Sequence, residues 1–221
     1  MQGWNVSRVS RSSQSSGETA YEALLSALRA GTFGPGDRLR EEDVGDQLGL
    51  SRTPVREALR RLENDGIVEH RPRIGAVIRS LPHTEVVQLS EMRMVLERTA
   101  AEMAAKHGSD AEFDALDDMN DQIEAERTDP AKGAAINQDF HRGLYLAGRN
   151  KFLLEAARAL NNSLLLLGPT TYTDPARIDV VVRQHRDIVT ALRDRDAEAA
   201  GAAAEAHLQT SLRHRLHSLP E

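Results

Sequence analysis

The sequence contains no cysteine, and its 221 residues include no long hydrophobic run. Without thiols the chain cannot form disulfides or thiolate metal sites, so a metal ion would need His, Asp, Glu, Asn or water as ligands. The longest apolar stretch, Leu164 to Leu167 with its neighbours, is far shorter than the ~20 residues of a membrane helix. We therefore expect a cytoplasmic protein with no membrane partner.

Positive charge is also scarce, since 28 Lys and Arg face 34 Asp and Glu, for a formal net charge of −6. Its distribution is uneven. Residues 19–80 contain ten arginines and ten acidic residues, whereas residues 81–221 carry an excess of seven acidic residues. A local basic patch remains possible in such a chain, and residues 51–61 place four arginines against one glutamate. The length suits two small domains, preceded by a serine-rich, disordered tail over residues 1–17.

Residues 18–80 have the pattern of a small domain that combines helices with a hairpin. Apolar spacing predicts helices over residues 20–30 and 41–48, and a third from Ser51, whose hydroxyl would cap it, to Asp65. Two short strands, 67–68 and 76–78, flank a tip at residues 70–75. This order is that of a winged helix-turn-helix, in which the second helix of the turn enters the DNA major groove.

Arginines at the start of this third helix suit DNA binding. Arg52 and Arg56 would meet phosphates or guanine edges near the positive end of the helix, and a bidentate contact to guanine discriminates by ~1–3 kcal/mol. For the arginine run alone, a solvated charged face is the simpler explanation. The turn before the helix and the Arg-Pro-Arg wing at residues 71–73 favour DNA, because they belong to separate parts of the docking geometry.

The stretch PGDRLREEDVGDQLGLSRTPVREALRRLENDGIVEHRPRIGAVI resembles the DNA-binding domain of the GntR family of bacterial transcription regulators. The segment SRTPVREALRRLE is highly specific to that family. The resemblance implies DNA contacts from the recognition helix, from the region before the second helix and from the wing. The residues in these positions are Ser51, Arg52, Thr53, Pro54, Arg56, Arg38, Arg71, Arg73 and Gly75.

Residues 83–217 show only helical patterns. The predicted helices cover residues 83–107, 110–127, 130–148, 151–167, 175–193 and 197–217, with glycine, proline or aspartate at the breaks. Six helices with short connections imply an antiparallel bundle, which makes the fold class mainly α.

Polar residues interrupt the apolar stripes of this bundle. Asn137 and His141 are four residues apart and share one helix face, His185 precedes Ile188, and His207 lies among alanines. Three imidazoles from three helices, with one oxygen donor, could hold zinc, nickel or manganese. Each histidine taken singly is more simply a hydrogen-bonded core or surface residue.

The segments EMRMVLERTAAEMAA, NQDFHRGLYLAGRN and QHRDIVTALRDRDAEAAGAAAEAHL resemble the C-terminal effector domain of the FadR branch of GntR regulators, the FCD domain. Metal-binding members hold a divalent ion with one Asp and three His. The resemblance therefore implies a metal site of His141, His185 and His207, with Asn137 in the Asp position. An amide oxygen can coordinate but brings no full negative charge, so we expect weaker retention of the ion.

The same resemblance implies an effector-binding role for Arg93, whose guanidinium would pair with a carboxylate of the effector. The alternative for Arg93 is an ion pair with Glu97, one helical turn away. Tyr145 and Asn162 are further candidates for the wall of the effector cavity.

Together these features predict a DNA-binding transcription regulator, most simply a repressor, that binds a pseudo-palindromic operator as a homodimer. A small carboxylate bound with the metal would shift the arrangement of the two DNA-binding domains through linker residues 80–83. Two alternatives remain: a metal-responsive regulator without an organic effector, and a hydrolase or hydratase that uses a three-histidine metal. We expect no enzyme, because no second catalytic group accompanies the histidines at a suitable spacing.

Overall fold

A computed structural model describes residues 16–168 and 170–218. The tail expected over residues 1–17 lies outside this range up to residue 15, and the first helix already begins at Ser16. No helix in the described range has both the length and the apolar character that crossing a membrane requires.

The N-terminal part is a winged helix-turn-helix, as predicted. Its elements are α1 (Ser16–Arg29), β1 (Arg38–Leu39), α2 (Glu41–Leu48), α3 (Arg52–Asn64), β2 (Val68–Arg71) and β3 (Gly75–Ile78). The antiparallel sheet has the order β1-β3-β2, with Arg38 opposite Val77 and Arg71 opposite Gly75. The sequence pattern did not predict β1, because two residues show no period.

The turn between α2 and α3 depends on two glycines. Gly49 ends α2 with a φ of 68°, a left-handed conformation that costs glycine little. A Cβ on Gly45 would lie 2.7 Å from the carbonyl oxygen of Leu50, so only glycine lets the chain return this closely. Ser51 occupies the N-cap position of α3, but its hydroxyl makes no capping hydrogen bond, which corrects the predicted cap.

The C-terminal part is the expected bundle of six helices. They are α4 (His83–His107), α5 (Asp110–Ala125), α6 (Pro130–Ala147), α7 (Lys151–Leu164), α8 (Pro175–Arg193) and α9 (Ala197–Ser218). α5 ends two residues earlier than predicted. α7 ends at Leu164, and the residues predicted to complete it form a 3-10 helix, Leu165–Leu167; a second one, Thr171–Thr173, precedes α8. The buried faces of α4, α5, α6, α8 and α9 enclose the main core.

Two connections join the parts. Across the linker, Arg79 donates to the carbonyl oxygen of Gly66 at 3.0 Å and to Glu85 of α4 at 2.9 Å. The second connection is Leu166, which belongs to the bundle by sequence but is 3% exposed within the apolar core of the N-terminal part, together with Leu24 and Leu62. Burial of an apolar side chain from one part in the core of the other ties the two together.

Candidate nucleic-acid interface and metal centre

Arg52 and Arg56 lie exposed on the first turns of α3, as a recognition helix requires. Both are already paired with acidic residues of α2. Arg52 contacts Glu42, and Arg56 donates two hydrogen bonds to Glu41 at 2.7 and 2.8 Å. These hydrogen bonds lower the pKa of the Glu41 carboxyl. For either arginine to contact DNA as predicted, a phosphate or base edge would have to displace its glutamate.

The other predicted contacts of the recognition helix divide by burial. Ser51 and Thr53 are exposed beside the arginines, so both can reach a duplex. Pro54 is buried, which does not support its predicted contact with DNA. Arg61, which belongs to the same arginine run, stacks on the Tyr21 ring at 3.8 Å and contributes to the packing of α1 on α3.

Arg38 lies in β1 rather than on a helix. With Arg56, Arg60 and Gly75 it lines a groove between α3 and the wing, which brings it to the side of the recognition helix. In the wing, Arg71 and Arg73 are exposed. Arg71 forms an ion pair with Glu69 at 2.6 Å, and Arg73 turns the hairpin with a φ of 66°.

The three histidines of α6, α8 and α9 converge inside the bundle. His141, His185 and His207 are 5%, 0% and 2% exposed, and each offers a ring nitrogen within 4.8 Å of the others. The ring of His185 also stacks on Phe140, with centroids 3.8 Å apart. Nitrogens this close, on three separate helices, can share one metal ion.

Neighbouring amides set the orientation of two of these rings. Nδ1 of His185 lies 3.2 Å from Oδ1 of Asn120, whose Nδ2 donates to the carbonyl oxygen of Val182. Nδ1 of His207 lies 3.2 Å from Oε1 of Gln184. Because an amide oxygen can only accept, Nδ1 carries the proton in both rings and Nε2 keeps its lone pair. Buried Nε2 of His185 has no hydrogen-bond partner among the described residues.

These two imidazoles are held neutral. Burial is the main reason that the pKa values of His185 and His207 lie well below the usual range for histidine, and nearby positive groups lower them further. A neutral imidazole is the form that binds a metal ion.

Asn137 is the oxygen donor predicted to accompany the three imidazoles. It lies one turn before His141 on α6, and its buried Oδ1 has no hydrogen-bond partner in the described part of the chain. Such an unsatisfied oxygen is costly to bury unless something binds it. With the unpartnered Nε2 of His185, it makes a donor set that fits a divalent cation.

Arg93 adopts the alternative arrangement considered for it, an ion pair with Glu97 of the same helix, at 2.8 Å. Glu97 is 1% exposed and also lies 2.5 Å from Nδ1 of His141, although the angle does not satisfy a hydrogen bond. Burial alone would raise the pKa of the Glu97 carboxyl, but the charges of His141 and Arg93 outweigh it and lower this pKa to about 2. Glu97 therefore remains ionised beside the cluster.

The remaining cavity candidates differ in placement. Tyr145 is 2% exposed, and burial raises the pKa of its hydroxyl, with a further rise from the charge of Glu97, so it lies near this group of side chains. Asn162 is half-buried on α7, and its side chain makes no hydrogen bond within the described residues.

Both parts of the chain match known protein families. Residues 16–78 match the family described as bacterial regulatory proteins, gntR family, and residues 88–210 match the FCD domain. The second match alone covers more than half of the chain. The chain belongs to the GntR family.

Relatives of this GntR regulator are similar over most of their length. A probable D-xylose utilization operon transcriptional repressor of Paenarthrobacter nicotinovorans is 32% identical, over 88% of this chain and 86% of that protein. YdhC of Bacillus subtilis, an uncharacterized HTH-type transcriptional regulator, is 29% identical over 91% of each chain. The transcriptional repressor RspR of Escherichia coli is 27% identical over 79% of this chain and 78% of its own.

Solved structures agree with the fold of the GntR regulator. Escherichia coli McbR/YncC superposes with a TM-score of 0.81 at 20% identity, over 93% of this chain and 99% of that one. A putative GntR regulator from Rhodococcus sp. RHA1 gives 0.77 at 24% identity, over 94% of this chain and all of that one.

Family membership decides between regulator and enzyme. The family and the relatives are transcription regulators, so this GntR chain is a DNA-binding regulator and not a three-histidine hydrolase or hydratase.

Sequence reasoning missed two buried charged residues of the regulator. The ion pair of Glu97 with Arg93 was one of the two predicted alternatives, but its burial and its closeness to His141 were not predicted, because a pair four residues apart on a helix is also common at the surface. Arg177, at the start of α8, is 3% exposed and was not considered. Its position four residues before Val181 on the apolar stripe of α8 was the available signal.

Proposed function

We propose that this GntR regulator represses transcription as a cytoplasmic homodimer on a pseudo-palindromic operator, and that a divalent metal and a small carboxylate in the bundle control its DNA binding. The metal is supported most directly by the convergence of three buried imidazoles and by the buried Oδ1 of Asn137, one turn before His141, which has no hydrogen-bond partner among the described residues. His141, His185, His207 and Asn137 would hold the ion. When bound, the ion supplies positive charge to an acidic effector.

The operator side of the proposal depends on exposed groups of α3 and the wing. Arg52 and Arg56 would read base edges or phosphates, with Ser51 and Thr53 beside them, while Arg38, Arg71, Arg73 and Gly75 would follow the backbone and the adjacent groove. Two copies are needed because half-sites one turn apart require two recognition helices. Met92 and Val95, 49% and 58% exposed on α4, offer an apolar surface for the second copy.

Coupling between effector and operator has two physical routes. Linker residues 80–83 are bracketed by Arg79, which binds both Gly66 and Glu85. The second route is the segment that begins at Leu166 in the N-terminal core and continues to Tyr172, which is buried in the bundle. A ligand that moved Tyr172 would act on the N-terminal part through few intervening residues, and a coupling of about 1–3 kcal/mol is typical of such systems.

The decisive experiment begins with metal content. Protein purified without chelator should contain zinc, nickel or manganese by elemental analysis, or show a thermal shift on adding one of them, and His185→Ala should lose most of that binding. His107→Ala is the matched control, since His107 is exposed at the end of α4. If wild-type protein neither contains a metal nor responds to any of the three, the metal part of the proposal is wrong.

Gel-shift titration on the DNA next to the protein's own gene then tests regulation. Metal and carboxylates are added separately: release only with both supports the proposal, whereas release by metal alone identifies a metal-responsive regulator without an organic effector. D-xylose, named in the operon of the Paenarthrobacter relative, is the neutral probe. Release by D-xylose and by no acid contradicts the carboxylate effector.

A further inference from the structure

Arg177 is a buried cation without a counterion among the described residues. Its side chain is 3% exposed, and Nη2 donates to Oγ of Ser211 at 2.6 Å. Nε and Nη1 have no hydrogen-bond partner, and no carboxylate of the described residues forms an ion pair with it. Because arginine does not give up its proton at physiological pH, this arrangement buries a full charge that no carboxylate of the described residues balances.

The position of Arg177 relates it to the histidine cluster. On α8 it lies two turns before His185, and its partner Ser211 lies one turn after His207 on α9, where the Ser211 hydroxyl donates to the His207 carbonyl oxygen. Arg177 and Ser211 thus lie next to the imidazoles, at the interface between α8 and α9. Tyr172 belongs to the apolar cluster formed by Ile178, Val181 and Val182 of the same helix as Arg177. Burial raises the pKa of its hydroxyl, while the charges of Arg177 and Arg93 act to lower it.

Arg177 and Arg93 differ in how their charge is balanced. Arg93 meets Glu97, so its charge is already neutralised inside the protein. Among the described residues, Arg177 donates a hydrogen bond only to the neutral hydroxyl of Ser211. Histidine side chains and the amide of Asn137 also contribute no negative charge to a bound divalent ion. An effector with a single acidic group would therefore leave most of the positive charge of this region unbalanced, whereas a dianion would balance more of it.

We propose that Arg177, rather than Arg93, binds an acidic group of the effector, and that the effector is a small dicarboxylate whose second carboxylate lies toward the histidine cluster. This inference rests on the proposed function, because it assigns the chemistry of the effector proposed to bind in the bundle. Ser211 accepts one of the two hydrogens of Nη2. The other can donate in parallel with the neighbouring N–H of the unpaired Nη1 or Nε, which gives one carboxylate two hydrogen bonds, the geometry in which arginine binds most strongly.

Calorimetry on the full-length, metal-loaded protein tests this assignment. The probes are malonate, succinate and glutarate, each compared with a monocarboxylate: acetate, propionate and butyrate. We expect the best dicarboxylate to bind about tenfold to a hundredfold more tightly than any monocarboxylate, as hydrogen bonds to charged groups contribute this much. Arg177→Gln should remove that preference and leave monocarboxylate binding nearly unchanged, while Arg183→Gln, exposed on the same helix, should change neither.

A second readout separates a binding role from a structural one. If Arg177 is held for a ligand, Arg177→Met should raise the melting temperature of the ligand-free protein, because it removes an uncompensated buried charge. It should also abolish the extra thermal shift that dicarboxylates produce. A structural role predicts the opposite sign, with a lower melting temperature in the absence of ligand.

The possible failures are distinguishable. If dicarboxylates bind but Arg177→Gln binds them as tightly as wild type, the assignment of Arg177 is wrong and the proposed function stands. If both classes of acid bind equally to wild type, the dicarboxylate is wrong. If no acid of either class binds to protein whose metal content is confirmed, this inference and the carboxylate part of the proposed function both fail, whereas metal and operator binding stand.

Discussion

The functional groups of the N-terminal and C-terminal parts are arranged in opposite ways. Arg52 and Arg56 of the recognition helix are exposed and already paired with glutamates of α2. In the bundle, His185, Asn137 and Arg177 each have at least one buried polar atom without a hydrogen-bond partner among the residues that the structure describes. An exposed ion pair contributes little free energy, so breaking it for another partner costs little. A buried polar atom without a hydrogen-bond partner destabilises the folded protein unless a ligand satisfies it.

This contrast implies different consequences of binding in the two parts. In the N-terminal part, DNA replaces existing weak ion pairs, so affinity depends on salt and on competition between charges. In the bundle, the proposed ligands would satisfy polar atoms that have no partner among the described residues, so their binding should stabilise the folded protein.

The largest effect should come from the point where the two parts meet. Leu166→Ala is expected to lower the free energy of unfolding by ~2–4 kcal/mol, because a fully buried leucine is truncated in a core that cannot close around the gap. Hydrogen exchange should show the loss of protection mainly in α1 and α3. Leu146→Ala is the control, since Leu146 is 46% exposed. Equal losses for both variants would mean that Leu166 does not pack in the N-terminal core.

Arg52→Ala should weaken binding to the operator by ~1–3 kcal/mol, the usual contribution of a bidentate arginine–guanine contact. Gel shifts on operator and scrambled DNA at one salt concentration measure the effect. Metal content should not change, because Arg52 lies outside the bundle. A uniform loss on both DNAs would instead indicate a phosphate contact and would contradict base reading by this residue.

Asn137→Asp tests the proposed metal site in the bundle. The carboxylate adds a full negative charge to the ligand set, so we expect metal affinity to rise at least about tenfold. Competition with a metal-binding dye measures it. Gln138→Glu, which adds the same charge at an exposed position of α6, is the matched control. An unchanged affinity in Asn137→Asp would place Asn137 outside the ligand set.

The smallest effect should come from the exposed ion pairs. Glu42→Gln frees Arg52 from a competing surface pair and should tighten operator binding about twofold to fivefold, as exposed pairs contribute only ~0.2–1 kcal/mol. Asp46→Asn removes the same charge from the same helix, and Asp46 forms no ion pair among the described residues. Equal gains from both variants would attribute the effect to net charge rather than to competition for Arg52.

The features that could be predicted from the sequence are those that follow a local period of apolar residues. Apolar spacing located the helices of both parts to within a few residues, and the positions of His141, His185 and His207 on apolar stripes predicted that they face inward. The two-residue β1 was missed because it has no period. The hydroxyl of Ser51 makes no capping bond, although the residue occupies the predicted cap position.

Long-range contacts could not be predicted in this way. Glu97 lies beside His141, which is 44 positions later in the chain. The i to i+4 pair of Arg93 and Glu97 has the same sequence pattern whether the pair is exposed to solvent or buried. Leu166 looked like the end of a bundle helix, yet it packs in the other core. Arg177 resembled an ordinary charged residue of a first turn. In each case the decisive quantity is burial by another element, which no single segment encodes.

The docking of Leu166 also bears on how such regulators can be taken apart and recombined. A fragment cut in the linker would lack a side chain that fills its own interior, and we expect it to be less stable than the same residues in the intact chain. Chimaeras that join this DNA-binding domain to the effector domain of another regulator would lose the same stabilising side chain. A foreign sensor would have to supply a residue of matching shape at this position, so the exchangeable unit extends beyond the linker.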